Sequence, residues 1–124
     1  MSRVLVVDDD PDIVDLLRLR LELAGHTVRT ASNGELGWEA ILDEVPDLAV
    51  LDVSMPRLDG LSLTRRLRGH AETAGLPILV LTAAVQTADA ENAIAAGATA
   101  YAKKPFSPKA LALRVQAMLE DPGA

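Results

Sequence analysis

The feature that most constrains this chain is a repeated alternation of short apolar runs with longer helical patterns. Each apolar run has the length and β-branched content of a buried strand, and each following stretch has helical spacing. Strict alternation of this kind predicts a parallel sheet covered by helices on both faces, with right-handed crossovers. The predicted strands are Val4–Val7, Val28–Ala31, Leu48–Leu51, Ile78–Leu81 and Ala100–Lys103, and the predicted helices are Pro11–Ala24, Glu35–Glu44, Gly60–His70, Ala88–Ala96 and Pro108–Leu119.

The composition fits one domain built around such a sheet. Of 124 residues, 49% are hydrophobic but only 2% aromatic, so Leu, Val, Ile and Ala have to build the core. We expect this domain to span 1–120, with Asp121–Ala124 as a tail or the start of a linker. The sequence has no cysteine, which excludes disulfides and thiolate metal sites. It shows no signal-peptide core or membrane-length apolar run, which favours a cytoplasmic location without a membrane partner.

The charge of the chain argues against a nucleic-acid surface. Its formal net charge is -6, whereas phosphate backbones are bound by clustered Lys and Arg. The densest basic run, Arg65, Arg66 and Arg68, alternates with leucines at helical spacing. It therefore predicts a solvated helix face with no function of its own.

Aspartates follow two of the predicted strands. Asp8 and Asp9 come directly after the first strand, and Asp52 directly after the third. The carboxyl ends of parallel strands share one edge of the sheet, where open α/β sheets bind ligands. Acids gathered there either hold a divalent cation or repel one another strongly, so we predict a cation site that includes Asp52. Asp10 precedes Pro11 and is expected to cap the first helix instead.

Further residues at this edge extend the candidate site. Beside a cation, Asp52 is a candidate metal ligand, general base or nucleophile toward phosphorus. Thr82 offers a hydroxyl after the fourth strand, and Lys104 offers a cation that can neutralise anionic oxygens after the fifth. The backbone carbonyl of Ser54 is another oxygen ligand. The bond from Lys104 to Pro105 is a candidate cis peptide.

Glycines mark the predicted turns. Asn33-Gly34 and Asp59-Gly60 are hairpin signals in other contexts, but each precedes a helical pattern here and so predicts a turn from strand to helix. Gly25 and Gly97 follow helical segments, where a left-handed C-cap is commonly needed.

Taken together, these residues resemble the receiver domain of two-component response regulators, from Arg3 to Leu119. The resemblance implies a flavodoxin-like (βα)5 sandwich with strand order 2-1-3-4-5. The motifs that carry it are Val6-Val7-Asp8-Asp9-Asp10, Leu51-Asp52-Val53-Ser54-Met55-Pro56 with Asp59-Gly60, Leu81-Thr82-Ala83, and Lys104-Pro105-Phe106.

The resemblance also implies a function. The chain would be a phosphoacceptor rather than a turnover enzyme, phosphorylated by a sensor histidine kinase, a phosphotransfer protein or a small phosphodonor, with slow autodephosphorylation. Mg²⁺, or Mn²⁺ in its place, would be the cofactor. The implied site comprises the phosphoacceptor Asp52, the metal ligands Asp8, Asp9, Asp52 and the Ser54 carbonyl, and the phosphoryl contacts Thr82 and Lys104.

A conformational switch is implied as well. Tyr101 would swing inward when Thr82 moves toward the phosphoryl group, and the region Ala83–Tyr101 would shift. The helix Ala88–Ala96 offers one large apolar side chain, so weak packing onto the sheet is expected. The face around the fourth helix, fifth strand and fifth helix would control contacts with a downstream protein or output domain. The kinase contact is expected near Asp12–Leu19.

The oligomeric state and the output stay open. Receivers of the winged-helix transcription-factor class usually carry acidic residues before the tyrosine, and these pair across a dimer. This chain has Gly97-Ala98-Thr99-Ala100 there, although Arg114 remains where a pairing arginine could lie. Both a monomer and a phosphorylation-dependent dimer fit. No output segment follows Leu119, so we expect either a stand-alone receiver or part of a longer regulator.

The acidic cluster resembles two other kinds of site. Asp8-x-Asp10-x-Asp12 resembles the nucleophile loop of haloacid-dehalogenase-type phosphohydrolases, which would make Asp8 the nucleophile. An EF-hand loop fails, because Ile13 stands where glycine is needed and Leu19 where glutamate is needed. The phosphohydrolase is therefore the remaining alternative.

Overall fold

A computed structural model describes residues 2–83 and 87–120. Strands and helices alternate through this part of the chain, and the expected tail, 121–124, lies outside it. The strands are β1 Arg3–Val7, β2 Thr27–Ala31, β3 Leu48–Asp52, β4 Ile78–Thr82 and β5 Ala100–Lys103, and the helices are α1 Pro11–Leu23, α2 Gly34–Asp43, α3 Gly60–Arg68, α4 Thr87–Ala95 and α5 Pro108–Glu120.

The strands form one parallel sheet in the order β2-β1-β3-β4-β5. Because side chains alternate along a strand, Val4 and Val6 of β1 pack with α1 and α5, whereas Leu5 and Val7 pack with α2, α3 and α4. The two core clusters lie on opposite faces of the sheet. The predicted doubly wound fold and its strand order are confirmed. No helix in the described residues is long and apolar enough to cross a bilayer.

Several elements begin or end at other residues than predicted. Asp52 and Thr82 are the last residues of β3 and β4, so the sheet itself fixes these two polar side chains. Arg3 and Thr27 begin β1 and β2 one residue early, because the two strands already pair there. Helix ends differ from the predicted ones by at most 2 residues, the largest difference being the end of α3 at Arg68. Fraying ends explain shifts of this size.

Side-chain caps and left-handed residues define the helix ends. Asp10, Asn33 and Asp59 precede α1, α2 and α3, and each accepts a hydrogen bond of 2.8 to 3.0 Å from a backbone N–H of the first turn. The expected capping role of Asp10 and both strand-to-helix turns are thereby confirmed. Gly25 and Gly97 follow α1 and α4 with φ values of 95° and 107°, as predicted for left-handed C-caps.

The prediction of a solvated arginine face is wrong for Arg68. Arg65 is exposed, and the guanidinium of Arg66 lies 5.3 Å from the centre of the Trp38 ring. Arg68 is partly buried and donates hydrogen bonds to the loops that follow α3 and α4. It is the last residue of α3, so its side chain reaches past the end of the helix, which helical periodicity does not reveal.

The packing of α4 is as sparse as its sequence predicts. Its one large apolar side chain, Ile94, is 50% exposed. The helix buries Ala90 and Ala93 instead, and an alanine removes far less apolar surface from water than a leucine does. Few apolar contacts therefore hold α4 against the sheet.

Candidate functional site

Two buried aspartates lie side by side where β1 and β3 end. Asp8 directly follows β1, and Asp52 ends β3. The register of these paired parallel strands places the two aspartates next to each other. Their side chains are 0% and 6% exposed. With exposed Asp9, they offer three carboxylate oxygens that lie within 4.8 Å of one another. Acids this close repel one another unless a cation compensates them.

Backbone contacts hold Asp8 in this position. Its N–H donates to the Ala31 carbonyl at 3.1 Å, and its Oδ1 accepts from the Asp10 N–H at 2.9 Å. Asp10 itself is exposed, and its carboxylate caps α1. The consecutive aspartates thus serve different purposes, since Asp8 belongs to the buried pair and Asp10 starts the helix.

Lys104 supplies a compensating cation. Its Nζ lies 3.0 Å from Asp52 Oδ1 and 3.3 Å from Asp8 Oδ2. Its N–H donates to the Thr82 carbonyl at 2.7 Å, which extends the pairing of β4 with β5, and its peptide bond to Pro105 is cis. Lys104 therefore pairs with both buried acids, whereas Lys103 is exposed.

Burial and charge set the pKa values of this pair. Burial raises the pKa of Asp52 to about 6, the hydrogen bond with Lys104 opposes the rise, and the charge of Asp8 adds to it. Burial lowers the pKa of Lys104, but the hydrogen bond and charge of Asp52 outweigh this and leave the pKa raised. At neutral pH the site thus presents an ammonium group beside a carboxylate that is more basic than an ordinary aspartate.

A cavity of ≈ 500 Å³ opens beside this pair. Ser54 lies on its exposed rim, after β3, and Thr82 is 4% exposed at the end of the neighbouring strand. The cavity thus combines acids, a hydroxyl and a cation at one edge of the sheet. Its lining residues are Asp9, Asp10, Asp52, Val53, Ser54, Thr82, Ala83 and Lys104.

Tyr101 lies outside this cavity. It is half-buried on β5, packs against the core on the α3 and α4 side, and lines a separate apolar hollow with Ala90 and Ile94. The proposed link from Thr82 to Tyr101 therefore stays a prediction. Part of the segment between them, 84–86, lies outside the described residues.

An apolar groove beside Lys104 is a feature that the sequence interpretation missed. Ile13 and Leu16 of α1 line it together with Pro105 and Phe106, which follow Lys104, and its volume is ≈ 410 Å³. The family resemblance places the expected kinase contact near Asp12–Leu19, which includes the α1 side of this groove. The other side of the groove could have been found from Pro105-Phe106, two apolar residues that directly follow the charged Lys104.

The donor set at the acidic cluster fits a hard divalent cation. Magnesium prefers carboxylate, carbonyl and water oxygens, and it is bound through one or two carboxylates while keeping several waters. Asp8, Asp9 and Asp52 offer such oxygens, and exposed Asp9 keeps the cluster open to water. The excess of negative charge over the single Lys104 cation also favours an added positive ion.

Asp9→Ala should weaken Mg²⁺ binding by about tenfold or more, because it removes an oxygen donor from the cluster. Asp10→Ala should change this affinity far less and should instead cost about 1 kcal/mol of stability as a lost helix cap. Magnesium titrations followed by amide chemical shifts, with urea unfolding of the same proteins, measure both effects. A folded Asp10→Ala protein that loses more magnesium affinity than Asp9→Ala would reverse these assignments.

Comparison with known proteins gives one consistent result. A family model described as the response regulator receiver domain matches residues 4–116. The chain is 40% identical over 119 residues to the DNA-binding dual master transcriptional regulator RpaA of Synechocystis, with 96% of this chain and 49% of that protein covered. It is 44% identical to the alkaline phosphatase synthesis transcriptional regulatory protein PhoP of Bacillus subtilis, covering 95% and 48%. The chain thus spans about half the length of these curated relatives.

The fold matches solved structures over almost its whole length. A putative response regulator from Chloroflexus aurantiacus superposes with a TM-score of 0.91 at 39% identity, covering 96% of this chain and 98% of the other. None of these similarities supports the haloacid-dehalogenase alternative with Asp8 as nucleophile.

Proposed function

The chain belongs to the response regulator receiver domain family of two-component systems, and from this premise we propose that Asp52 is its phosphoacceptor. One observation carries the proposal. The carboxylate of Asp52 is buried at the end of β3, 3.0 Å from the Lys104 ammonium and within a cluster of three acids. Such a carboxylate faces a cavity large enough for a phosphoryl group, with a cation ready for anionic oxygens.

In the proposed reaction an Asp52 carboxylate oxygen attacks phosphorus and forms a P–O bond. The bond from phosphorus to the donor breaks, and the donor atom leaves with the electron pair. Lys104 then turns from the Asp52 carboxylate to the phosphoryl oxygens, and the Thr82 hydroxyl donates a hydrogen bond to one of them. These two residues bind and orient the group that Asp52 receives.

Receiver domains bind Mg²⁺ at an acidic pocket, and the donor set here suits that ion. Asp8, Asp9, Asp52 and the Ser54 carbonyl would hold Mg²⁺, or Mn²⁺, whose charge offsets the repulsion between the carboxylate and the incoming phosphoryl oxygens. Receiver domains are generally not enzymes. The chain would accept one phosphoryl group and lose it slowly to water.

The phosphodonor would be a sensor histidine kinase or a phosphotransfer protein. The apolar groove between α1 and Pro105-Phe106 supports this, because Lys104 lines both this groove and the acidic cavity. Ile13 and Leu16 would contact apolar side chains of the donor protein. Family membership also supports a cytoplasmic location, where such donors act.

The output would be a change in contacts around α4, β5 and α5. The added charge of the phosphoryl group would draw Thr82 and Lys104 toward it, and sparsely packed α4 would follow. A downstream protein or an output domain would read this face, as a monomer or a phosphorylation-dependent dimer. Transcriptional regulation is the output that the relatives' names support.

Beryllofluoride with magnesium, which mimics a phosphoryl group, should shift the amides of α4, β5 and Tyr101 while leaving those of α1 nearly unchanged. The mimic would bond Thr82 and Lys104, whereas buried Leu17 and Leu21 anchor α1 to the sheet. Amide spectra with and without the mimic measure this response. Changes confined to Asp8, Asp9, Asp52 and their immediate neighbours would contradict the proposed switch through Thr82 and Tyr101.

A further inference from the structure

The edge of the sheet where the strands begin, here called the lower edge, holds a cation that the proposed function does not use. Arg68 Nε donates to the Gly97 carbonyl at 2.8 Å, Nη1 to the Thr73 and Ala74 carbonyls at 3.2 and 3.3 Å, and Nη2 to Thr99 Oγ1 at 3.3 Å. Among the described residues, no carboxylate forms an ion pair with it. Neutral acceptors on two loops therefore hold this cation.

The end of α4 is built around Arg68. The Gly97 N–H donates to the Ile94 carbonyl at 2.9 Å and the Ala98 N–H to the Ala93 carbonyl at 3.1 Å, which closes the helix in a Schellman-type turn. A Cβ on Gly97 would lie 2.6 Å from Arg68 Cγ. The stem of the arginine therefore packs directly on this turn while its guanidinium holds the turn's carbonyl.

The start of β5 is tied to the same point. The Thr99 N–H donates to the Ile78 carbonyl at 2.9 Å, and Thr99 Oγ1 accepts from the Ile78 N–H at 3.0 Å as well as from Arg68. The short link from α4 to β5 is thus bound on one side by β4 and on the other by α3.

Helix α3 connects this point to the backbone of Asp52. Buried Leu63 and Leu67 anchor α3 in the core. At its first residue, the Gly60 N–H donates to the Val53 carbonyl at 3.0 Å, and a Cβ on Gly60 would lie 2.1 Å from the Asp52 carbonyl oxygen. The helix that ends in Arg68 therefore begins in direct contact with the backbone of Asp52.

We propose that Arg68 is the fixed lower anchor of α4, so that a shift of this helix on phosphorylation pivots at Gly97. The buried side chains of α4 among the described residues are Ala90 and Ala93, and this sparse packing lets the helix move. The hydrogen bonds of Arg68 keep the last turn of this helix attached to α3 and β5. The pivot rests on the proposed function of Asp52, but the anchor itself does not.

Hydrogen exchange of the unphosphorylated protein tests the anchor alone. Arg68→Ala should speed exchange of the Gly97 and Ala98 amides about tenfold, since it removes charge-assisted hydrogen bonds from this turn. Arg65→Ala, on the exposed part of the same helix, is the matched control and should leave these amides unchanged. Equal exchange in both variants would overturn the anchor.

Beryllofluoride with magnesium tests the pivot. In the wild-type protein, amide shifts across Ala90–Ala93 should exceed those across Gly97–Thr99 by about threefold, and Arg68→Ala should equalise them. Equal shifts in the wild type, or unequal ones in the variant, would overturn the pivot. A mimic that perturbs no amide near Asp52 in any variant contradicts the proposed function instead, while the exchange measurement still decides on the anchor.

Arg68→Lys is a milder substitution that tests the anchor if Arg68→Ala does not fold. Lysine keeps the charge but lacks the planar fork that reaches two loops at once. It should therefore accelerate exchange in the same direction by a smaller factor. A folded Arg68→Lys protein with wild-type exchange at Gly97 and Ala98 also overturns the anchor.

Discussion

Lys104→Gln should lower the free energy of unfolding of the metal-free protein by about 2 kcal/mol at pH 7.5. The variant leaves Asp8 and Asp52 buried next to each other without the Lys104 ammonium, which lies 3.3 Å from Asp8 and 3.0 Å from Asp52. The expected loss is smaller than the usual cost of breaking a fully buried ion pair because the lysine side chain is 21% exposed. Urea unfolding with and without magnesium measures the loss, and added magnesium should restore most of it.

Lys103→Gln is the matched control for this prediction. Lys103 is exposed and adjacent in sequence, so its replacement should change stability by less than about 0.5 kcal/mol. In an Asp52→Asn background, Lys104→Gln should lower the free energy of unfolding by less than it does in the wild type, because one of the two buried charges is gone. Equal losses for the two lysine variants would show that Lys104 does not compensate the buried acids.

Asp52→Asn should stabilise the metal-free protein on the order of 2 kcal/mol at pH 7.5, with the gain disappearing at acidic pH. Burial raises the pKa of Asp52 to about 6, from 3.8 for an ordinary aspartate. The native state thus holds this proton more tightly than the unfolded chain does. The stability that protonation of Asp52 gives the native state is complete below pH 3.8 and is lost as the pH rises through about 6.

Unfolding curves between pH 4 and pH 8, recorded in a chelator, measure this difference between Asp52→Asn and wild type. Asp15→Asn, an exposed position on α1, should track the wild type throughout. A constant difference across this pH range would show that the stability gain does not come from ionisation of Asp52.

Most of the fold was predictable because the relevant physics is local or periodic. Apolar β-branched runs predicted the strands. The capping residues Asp10, Asn33 and Asp59 indicated where the first three helices begin. The acidic edge followed from topology, since parallel strands end together. Even the sparse packing of α4 was visible, because only Ile94 offered a large apolar side chain.

Contacts between residues far apart in the chain were not predictable in the same way. Arg68 sits in a run of leucines and arginines that reads as an exposed helix face, and only the folded chain brings it to Gly97 and Thr99. The apolar groove was missed for the same reason, because its lining residues Ile13 and Phe106 are far apart in the chain. A single sequence shows which residue types carry chemistry, but not which distant loop a long side chain reaches.

Phosphorylation by acetyl phosphate in the presence of magnesium tests the assignment of Asp52 most directly. Intact-mass spectrometry should show one added phosphoryl group on the wild-type protein, stable in acid and labile in base as an acyl phosphate. Asp52→Asn should remain unmodified, while Asp15→Asn should be labelled like the wild type. Equal labelling of wild type and Asp52→Asn would contradict the account.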